Sequence, residues 1–296
     1  MCFRKTVRLV QVGMCALAMM FSSCTAKKQA SVTNDFRKES YVNGIMYQLS
    51  AEVKGLQLQA FELAKIRLDE RLKENAAGKY SKPLAIISDI DDTLADDAMY
   101  MADIVLRDAA WDNGPWDYYY DAIGSTACKA IPGAVEFTQY ASEKGVEVFY
   151  ITNRDYDKDD LTVKQLQRLG FPNADLEHVQ VMNTEGSSNK TDRRANVLKN
   201  YEVVMYLGDN IGDFTADFAR ELGPIERTEM ALKDEYKKLW GDRWIVLPNA
   251  TYGDYVGATW FNDKTADSAK RCDYIKQLFD NYKFTNTEKF EQWYQK

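Results

Sequence analysis

Four short apolar runs, each followed by residues with charged or hydrogen-bonding heads, constrain this chain more than any other feature. Leu84-Ala85-Ile86-Ile87 leads into Asp89-Ile90-Asp91-Asp92-Thr93, and Val146 to Ile151 leads into Thr152-Asn153-Arg154. Val179 to Met182 precedes a polar stretch (GSSNK) ending at Lys190, and Val203 to Leu207 leads into Gly208-Asp209-Asn210-Ile211-Gly212-Asp213. Leu84 to Ile87 is continuously apolar and the other three runs predominantly so, which suits strands buried on both faces of a parallel sheet. Segments rich in helix formers separate the runs, and that alternation predicts a doubly wound α/β domain with a parallel sheet. Ligands in such sheets bind beyond the carboxyl ends of the strands, which is where these polar clusters fall.

Each cluster alone has a plain structural reading. An acidic turn or a Thr-Asn pair caps a helix, and an isolated lysine is normally a solvated surface charge. Four such coincidences at the ends of successive predicted strands are harder to accept. Carboxylates leaving a buried strand repel one another and desolvate badly unless they bind a cation or exchange protons.

In order, Asp89-x-Asp91-x-Thr93, Thr152, Lys190 and Gly208-Asp209-x-x-x-Asp213 resemble the four motifs of the haloacid dehalogenase superfamily. Asp91, two residues after the nucleophile position, is what the phosphatases of that superfamily carry. The stretches at 48–65 (QLSAEVKGLQLQAFELAK), 89–97 (DIDDTLADD), 131–154 (IPGAVEFTQYASEKGVEVFYITNR), 206–214 (YLGDNIGDF) and 247–255 (LPNATYGDY) are similar to the class C acid phosphatases, which include lipoprotein 5′-nucleotidases of bacterial outer membranes. Asp96-Asp97-Ala98 departs from the Asp-Asn-Ser common in that family.

The resemblance implies a Mg²⁺-dependent phosphomonoesterase. Asp89 would be the nucleophile and Asp91 the general acid and base, with Thr152, Asn153 and Lys190 holding the phosphate oxygens. Mg²⁺ would be held by Asp89, Asp209 and the main-chain carbonyl of Asp91, with Asp213 as a further ligand or holding one through water. An acid at Asp91 calls for a raised pKa, and so for activity that favours acidic pH. Arg154 is read as a brace for its loop, outside the site.

Trp111, Trp116, Tyr118, Tyr119 and Tyr120 lie in an insertion at about 97–131, where this fold carries a mainly helical cap, here rich in aromatics. Most such rings build a cap's own core. The resemblance nominates Trp116 and Tyr252 for stacking on the substrate, which points to nucleoside 5′-monophosphates, nicotinamide mononucleotide included, since aromatic faces accept any base; broad activity on phosphomonoesters is the other reading. His178 is the single histidine, which excludes a histidine phosphatase or a multi-histidine metal site and leaves it a structural role.

The N-terminus reads as processing information. Arg4, Lys5 and Arg8 precede an apolar stretch from Leu9 to Phe21, too short to be a comfortable membrane span, and Ser22-Ser23-Cys24 follows. This resembles a bacterial lipobox, although Phe21 stands where an aliphatic residue is usual. The resemblance implies a signal peptide at 1–23, acylation of Cys24 and an exported lipoprotein anchored in the bacterial outer membrane or periplasm; ordinary secretion is the other reading. Residues 24–40 read as a polar tether and 41–296 as the phosphatase domain.

Within that domain, Leu49, Val53, Leu56, Ala60 and Leu63 predict one packing face of a helix spanning Ile45 to Leu72. Removing residues 1–23 takes away three basic groups and no acidic ones, so the formal charge goes from −7 to −10. An acidic body of that kind argues against a nucleic acid polymer as partner, since wrapping phosphates needs a basic surface. Cys128 and Cys272 remain, their pairing left open, as is a homo-oligomer. A rival reading is a ligand-binding lipoprotein that keeps the fold without turnover, against which the intact Asp89, Asp91, Lys190 and Asp209 argue.

Overall fold

Alternate residues of strand β1 (Leu84–Ser88) enter two different apolar cores, which is why its sequence is apolar throughout. Leu84 and Ile86 pack with Phe61, Leu68, Phe137 and Leu166 on one face, while Ala85 and Ile87 pack with Phe149, Val197 and Val203 on the other. The computed structural model describes residues 36–106, 119 and 127–280. The signal peptide, Cys24, most of the tether, Trp111, Trp116, Tyr118 and Tyr120 lie outside the described residues.

Strand β1 is the centre of a five-stranded parallel sheet of order β5-β4-β1-β6-β7. The other strands are β4 (Glu147–Ile151), β5 (Val179–Gln180), β6 (Glu202–Gly208) and β7 (Trp244–Val246), of which β4 and β6 flank β1. The chain moves outward through β4 and β5, then returns to lay β6 and β7 on the other side of β1. The gap between β1 and β6 is therefore the switch point where such sheets bind ligands. Asp89 and Asp209 are the residues immediately past these two strands, and the Asp89 amide donates to the Leu207 carbonyl at 3.0 Å. Strand β7, only three residues long, was not among the apolar runs.

Helices cover both faces of the sheet. Helix α1 (Phe36–Gln48) begins within the stretch that the sequence reads as tether, and α2 (Ala51–Ala76) follows it. The single helix expected from Ile45 to Leu72 is broken at Ser50, whose hydroxyl accepts from the Val53 amide at 3.2 Å and caps α2. The buried face of α2 is Val53, Gln57, Phe61, Ala64, Leu68 and Arg71. Leu49 and Leu56 stand out in solvent at 52% and 42% exposure, so the packing face is rotated from the expected one. Two adjacent faces satisfy the spacing; Phe61 selects between them, its ring 5.9 Å from that of Phe137.

Helix α3 (Ala98–Leu106) lies in the insertion, whose base is closed by an antiparallel ribbon of β2 (Ala95–Asp96) and β3 (Lys129–Ala130). Tyr100, Met101 and Ile104 of α3 form a second small core with Tyr119 and with Ile45 of α1, and Tyr252 packs against it. Helices α4 (Ala134–Glu143), α5 (Asp159–Leu169) and α6 (Thr191–Asn200) link the strands. Then α7 (Gly223–Ala231) and α8 (Asp234–Lys237) precede β7, while α9 (Asp254–Ala258) and α10 (Ser268–Asp280) follow it. Cys128 and Cys272 are both free thiols.

The rotated face of α2 gives a direct test. Leu68→Ala should cost about 2–5 kcal/mol in urea denaturation through the cavity it leaves, whereas Leu56→Ala should stay within about 0.5 kcal/mol. Equal losses at the two positions would contradict the assigned face.

Candidate active site

Lys190, the residue before α6, carries its ammonium into the switch point at 3% exposure. Its Nζ donates to Asp89 Oδ1 and, at 2.7 Å, to Asp213 Oδ1. One carboxylate oxygen from each of Asp89, Asp209 and Asp213 lies within 4.8 Å of the others. Neighbours hold the triad in place. Thr93 Oγ1 donates to Asp209 Oδ1 at 3.0 Å, Asn249 Nδ2 to Asp209 Oδ2 at 2.8 Å, and the Asn210 amide to Asp213 Oδ2 at 3.0 Å. Gly208 is required here, because a Cβ on it would come within 2.5 Å of the Asp213 side chain.

The electrostatics of the triad call for more positive charge than Lys190 brings. Burial, then repulsion from Asp213, Asp89 and Asp92, pushes Asp209 well above the usual carboxylate range. Burial pushes Asp213 up to about 7 even though Lys190 pulls the other way. Lys190 stays charged: burial alone would lower its pKa, but Asp213 and Asp89 raise it overall. Converging carboxylate oxygens of this kind are the donor set of a hard divalent cation. The residues present therefore fit such an ion, held by Asp89, Asp209 and Asp213.

Asp91 belongs to a second charge pair. Its carboxylate meets the buried guanidinium of Arg154, 3% exposed, with Nη2 at 2.7 Å from Oδ1 and Nε at 3.2 Å from both oxygens. Arg154 is itself locked to α5 through Gln165 Oε1 at 2.6 Å and Thr162 Oγ1 at 3.2 Å. Thr152 Oγ1 donates to Asp91 Oδ2 at 3.1 Å. Burial raises the Asp91 pKa, but Arg154 and these hydrogen bonds outweigh it, so the group sits below the ordinary carboxylate range. The raised value expected from sequence is not what the resting protein has, because Arg154 is a charge partner of Asp91 as well as a loop brace.

Two further acids line this region without having been singled out. Asp92 takes a left-handed turn (φ 55°) and is pushed up to about 7 by burial, only partly offset by the Tyr252 hydroxyl. Asp97, where the family commonly has Asn, is raised well above its usual value by burial and by the charges of Asp91 and Asp92. Its Oδ1 accepts from the Tyr119 hydroxyl at 3.0 Å.

The remaining expected residues fall around this centre. Thr152 is buried at the end of β4, and Asn153 is exposed beside it, its Oδ1 accepting from Arg193 Nη2 at 2.8 Å. Arg193 also donates to the Thr152 carbonyl, tying the loop after β4 to α6. Sequence reasoning passed over Arg193 and Asn249. The only available signals were a basic residue three positions after Lys190 and an amide within the LPNATYGDY stretch. Tyr252 is half-buried, with its ring against the α3 core and its hydroxyl buried near Asp92. His178 is remote: Nδ1 is 2.8 Å from Asp175 Oδ1 and Nε2 3.1 Å from Glu147 Oε2, which suits a structural role at the strand edge.

Fold and site together define a haloacid-dehalogenase-type hydrolase, with an aspartate-rich centre at the switch point of a parallel α/β sheet. The model of the HAD superfamily, subfamily IIIB (acid phosphatase), matches residues 6–255, and the chain belongs to that family. It is a phosphoric monoester hydrolase. Its fold is similar to that of the class C acid phosphatase from Bacillus anthracis, at a TM-score of 0.72 and 28% identity, covering 81% of this chain and 96% of that one. One structure of that relative holds bound tungstate.

The raised acids fix the pH dependence of the metal-free protein. In the unfolded chain these carboxyls ionise near pH 4, whereas folded Asp92 and Asp213 keep their protons until about pH 7. Stability present at low pH is therefore lost as pH rises between those values. In EDTA the melting temperature should fall by several degrees from about pH 5 to about pH 7.5, and a saturating divalent cation should flatten the trend. A flat profile in EDTA would contradict the charge assignment.

Proposed function

We propose that this phosphatase is Mg²⁺-dependent, works through an aspartyl-phosphate at Asp89, and takes nucleoside 5′-monophosphates or closely related phosphomonoesters. The observation that carries the reading is the Asp89 carboxylate, placed at the switch point, hydrogen-bonded by Lys190 and flanked by Asp209 and Asp213. A dianionic ester approaches a carboxylate only if positive charge offsets the repulsion. Mg²⁺ held by Asp89, Asp209, Asp213 and the Asp91 carbonyl would supply that charge.

The chain's own groups then divide the work. An Asp89 oxygen attacks phosphorus as the bond to the ester oxygen breaks, and Asp91 delivers the proton to that leaving oxygen. Asp91 afterwards takes a proton from the water that hydrolyses the aspartyl-phosphate. Lys190, Thr152 and the Asn153 backbone hold the equatorial oxygens, where transition-state charge is spread. Arg154 keeps Asp91 ionised in the resting protein, so the proton-donating form becomes populated as pH falls, and acidic pH favours turnover. Tungstate is a tetrahedral oxyanion like phosphate, and its presence in the Bacillus anthracis relative supports an oxyanion site.

Trp116 and Tyr252 are the proposed stacking residues for the leaving nucleoside. For localisation, Ser22-Ser23-Cys24 after a basic and apolar start supports export and a lipid anchor at Cys24. Among the described residues, no helix is long and apolar enough to cross a membrane.

The test is phosphate release from nucleoside 5′-monophosphates, nicotinamide mononucleotide and simple aryl phosphates, with Mg²⁺ or EDTA. Release should need Mg²⁺, favour nucleotides and vanish in Asp89→Asn, while Asp91→Asn should lower kcat by about 10²–10⁴-fold. Equal release in EDTA, or undiminished release by Asp89→Asn, would contradict the mechanism. No release from any substrate would favour a binding lipoprotein.

A further inference from the structure

Glycine inside a helix is disfavoured by its conformational freedom, so Gly44 in α1 asks for a reason. Its surroundings supply one: a Cβ placed there would stand 2.3 Å from the Ala250 carbonyl oxygen and 3.1 Å from the Ala250 carbonyl carbon. Both are backbone atoms, which cannot rotate away. One turn further along α1, Gln48, 1% exposed, donates its Nε2 to the Pro248 carbonyl at 3.0 Å. Between them Ile45 enters the small core against which Tyr252 packs. Helix α1 therefore grips the Pro248–Tyr252 turn at both ends.

What that turn carries matters to the site. Asn249 Oδ1 accepts from the Thr251 amide at 2.8 Å and the Thr251 hydroxyl at 2.7 Å. Both bonds fix the amide plane so that Nδ2 faces Asp209 Oδ2 at 2.8 Å, with Asp92 Oδ2 at 3.5 Å. Thr93 holds the other Asp209 oxygen, so Asn249 sets how the remaining lone pairs of Asp209 point into the triad.

We infer that α1 is a positioning element for the cation site, with Gly44 and Gln48 holding the Pro248–Thr251 turn so that Asn249 aims the Asp209 carboxylate. Neither residue touches substrate or the reacting atoms; both act through Asn249. The inference rests on the triad being a divalent-cation site. Its consequence is that the segment next to the N-terminal tether is mechanically joined to the catalytic centre.

The experiment uses the full chain, stripped of metal, and follows the melting temperature during titration with Mg²⁺ and with Mn²⁺, alongside kcat and KM. Outer-shell changes typically weaken metal binding about 10–100-fold. Gly44→Ala should raise the half-saturating Mg²⁺ concentration by about tenfold, the gentle end of that range, and Gln48→Met by about threefold, just below it. KM for the phosphoester and kcat at saturating metal should change little. Gly55→Ala in α2, where an added Cβ meets nothing within 4 Å, should titrate like wild type.

A lower melting temperature with an unchanged metal midpoint in Gly44→Ala would overturn the inference, since a plain structural brace predicts that result. If Gly44→Ala does not fold, Gln48→Met decides: a wild-type midpoint overturns the inference and a raised one supports it. A wild type that shows no response to either metal defeats the cation reading and this inference with it. A wild-type response matched by the variants defeats this inference alone.

Discussion

The contact between the Lys190 ammonium and the carboxylates of Asp89 and Asp213 is the interaction on which the rest of the site depends. Bringing these acids together at the mouth of a sheet is costly, because burial and mutual repulsion both oppose ionisation. Lys190 offsets part of that cost, and the raised Asp209 and Asp213 show how much is left. The sheet order is what creates the problem and the function together. Placing β6 beside β1 puts Asp209 next to Asp89, and the turn at Gly208 brings Asp213 back over the same point.

A second cation divides the acids by role. Arg154 holds Asp91 below the usual carboxylate range, while Asp209 and Asp213 are pushed above it. Environments that drive neighbouring acids in opposite directions are how one fold gives similar carboxyl groups different proton chemistry. Asp97 adds a buried acid where the family commonly has an amide, close enough for its charge to couple to Asp91.

Much of this was legible in the sequence because strand burial and strand-end chemistry are both local patterns. The runs beginning at Leu84, Val146, Val179 and Val203 became β1, β4, β5 and β6, and Asp89, Asp209, Asp213 and Lys190 meet as expected. What was not legible depended on partners distant in sequence. Arg154 pairs with Asp91 across 63 positions, and Asn249 reaches Asp209 across 40. The face of α2 was misjudged because spacings of three and four fit two adjacent stripes, and only the packing of Phe61 on Phe137 decides between them. Strand β7 was missed because three residues carry no periodicity.

The central claim is that Asp89 carries the phosphoryl group. The most direct measurement is to quench the enzyme during turnover, reduce it with borohydride and locate the modified residue by peptide mass spectrometry. An aspartyl-phosphate at Asp89 would be recovered as homoserine at position 89, dependent on both substrate and metal. Modification at another residue, or none during active turnover, would contradict the account.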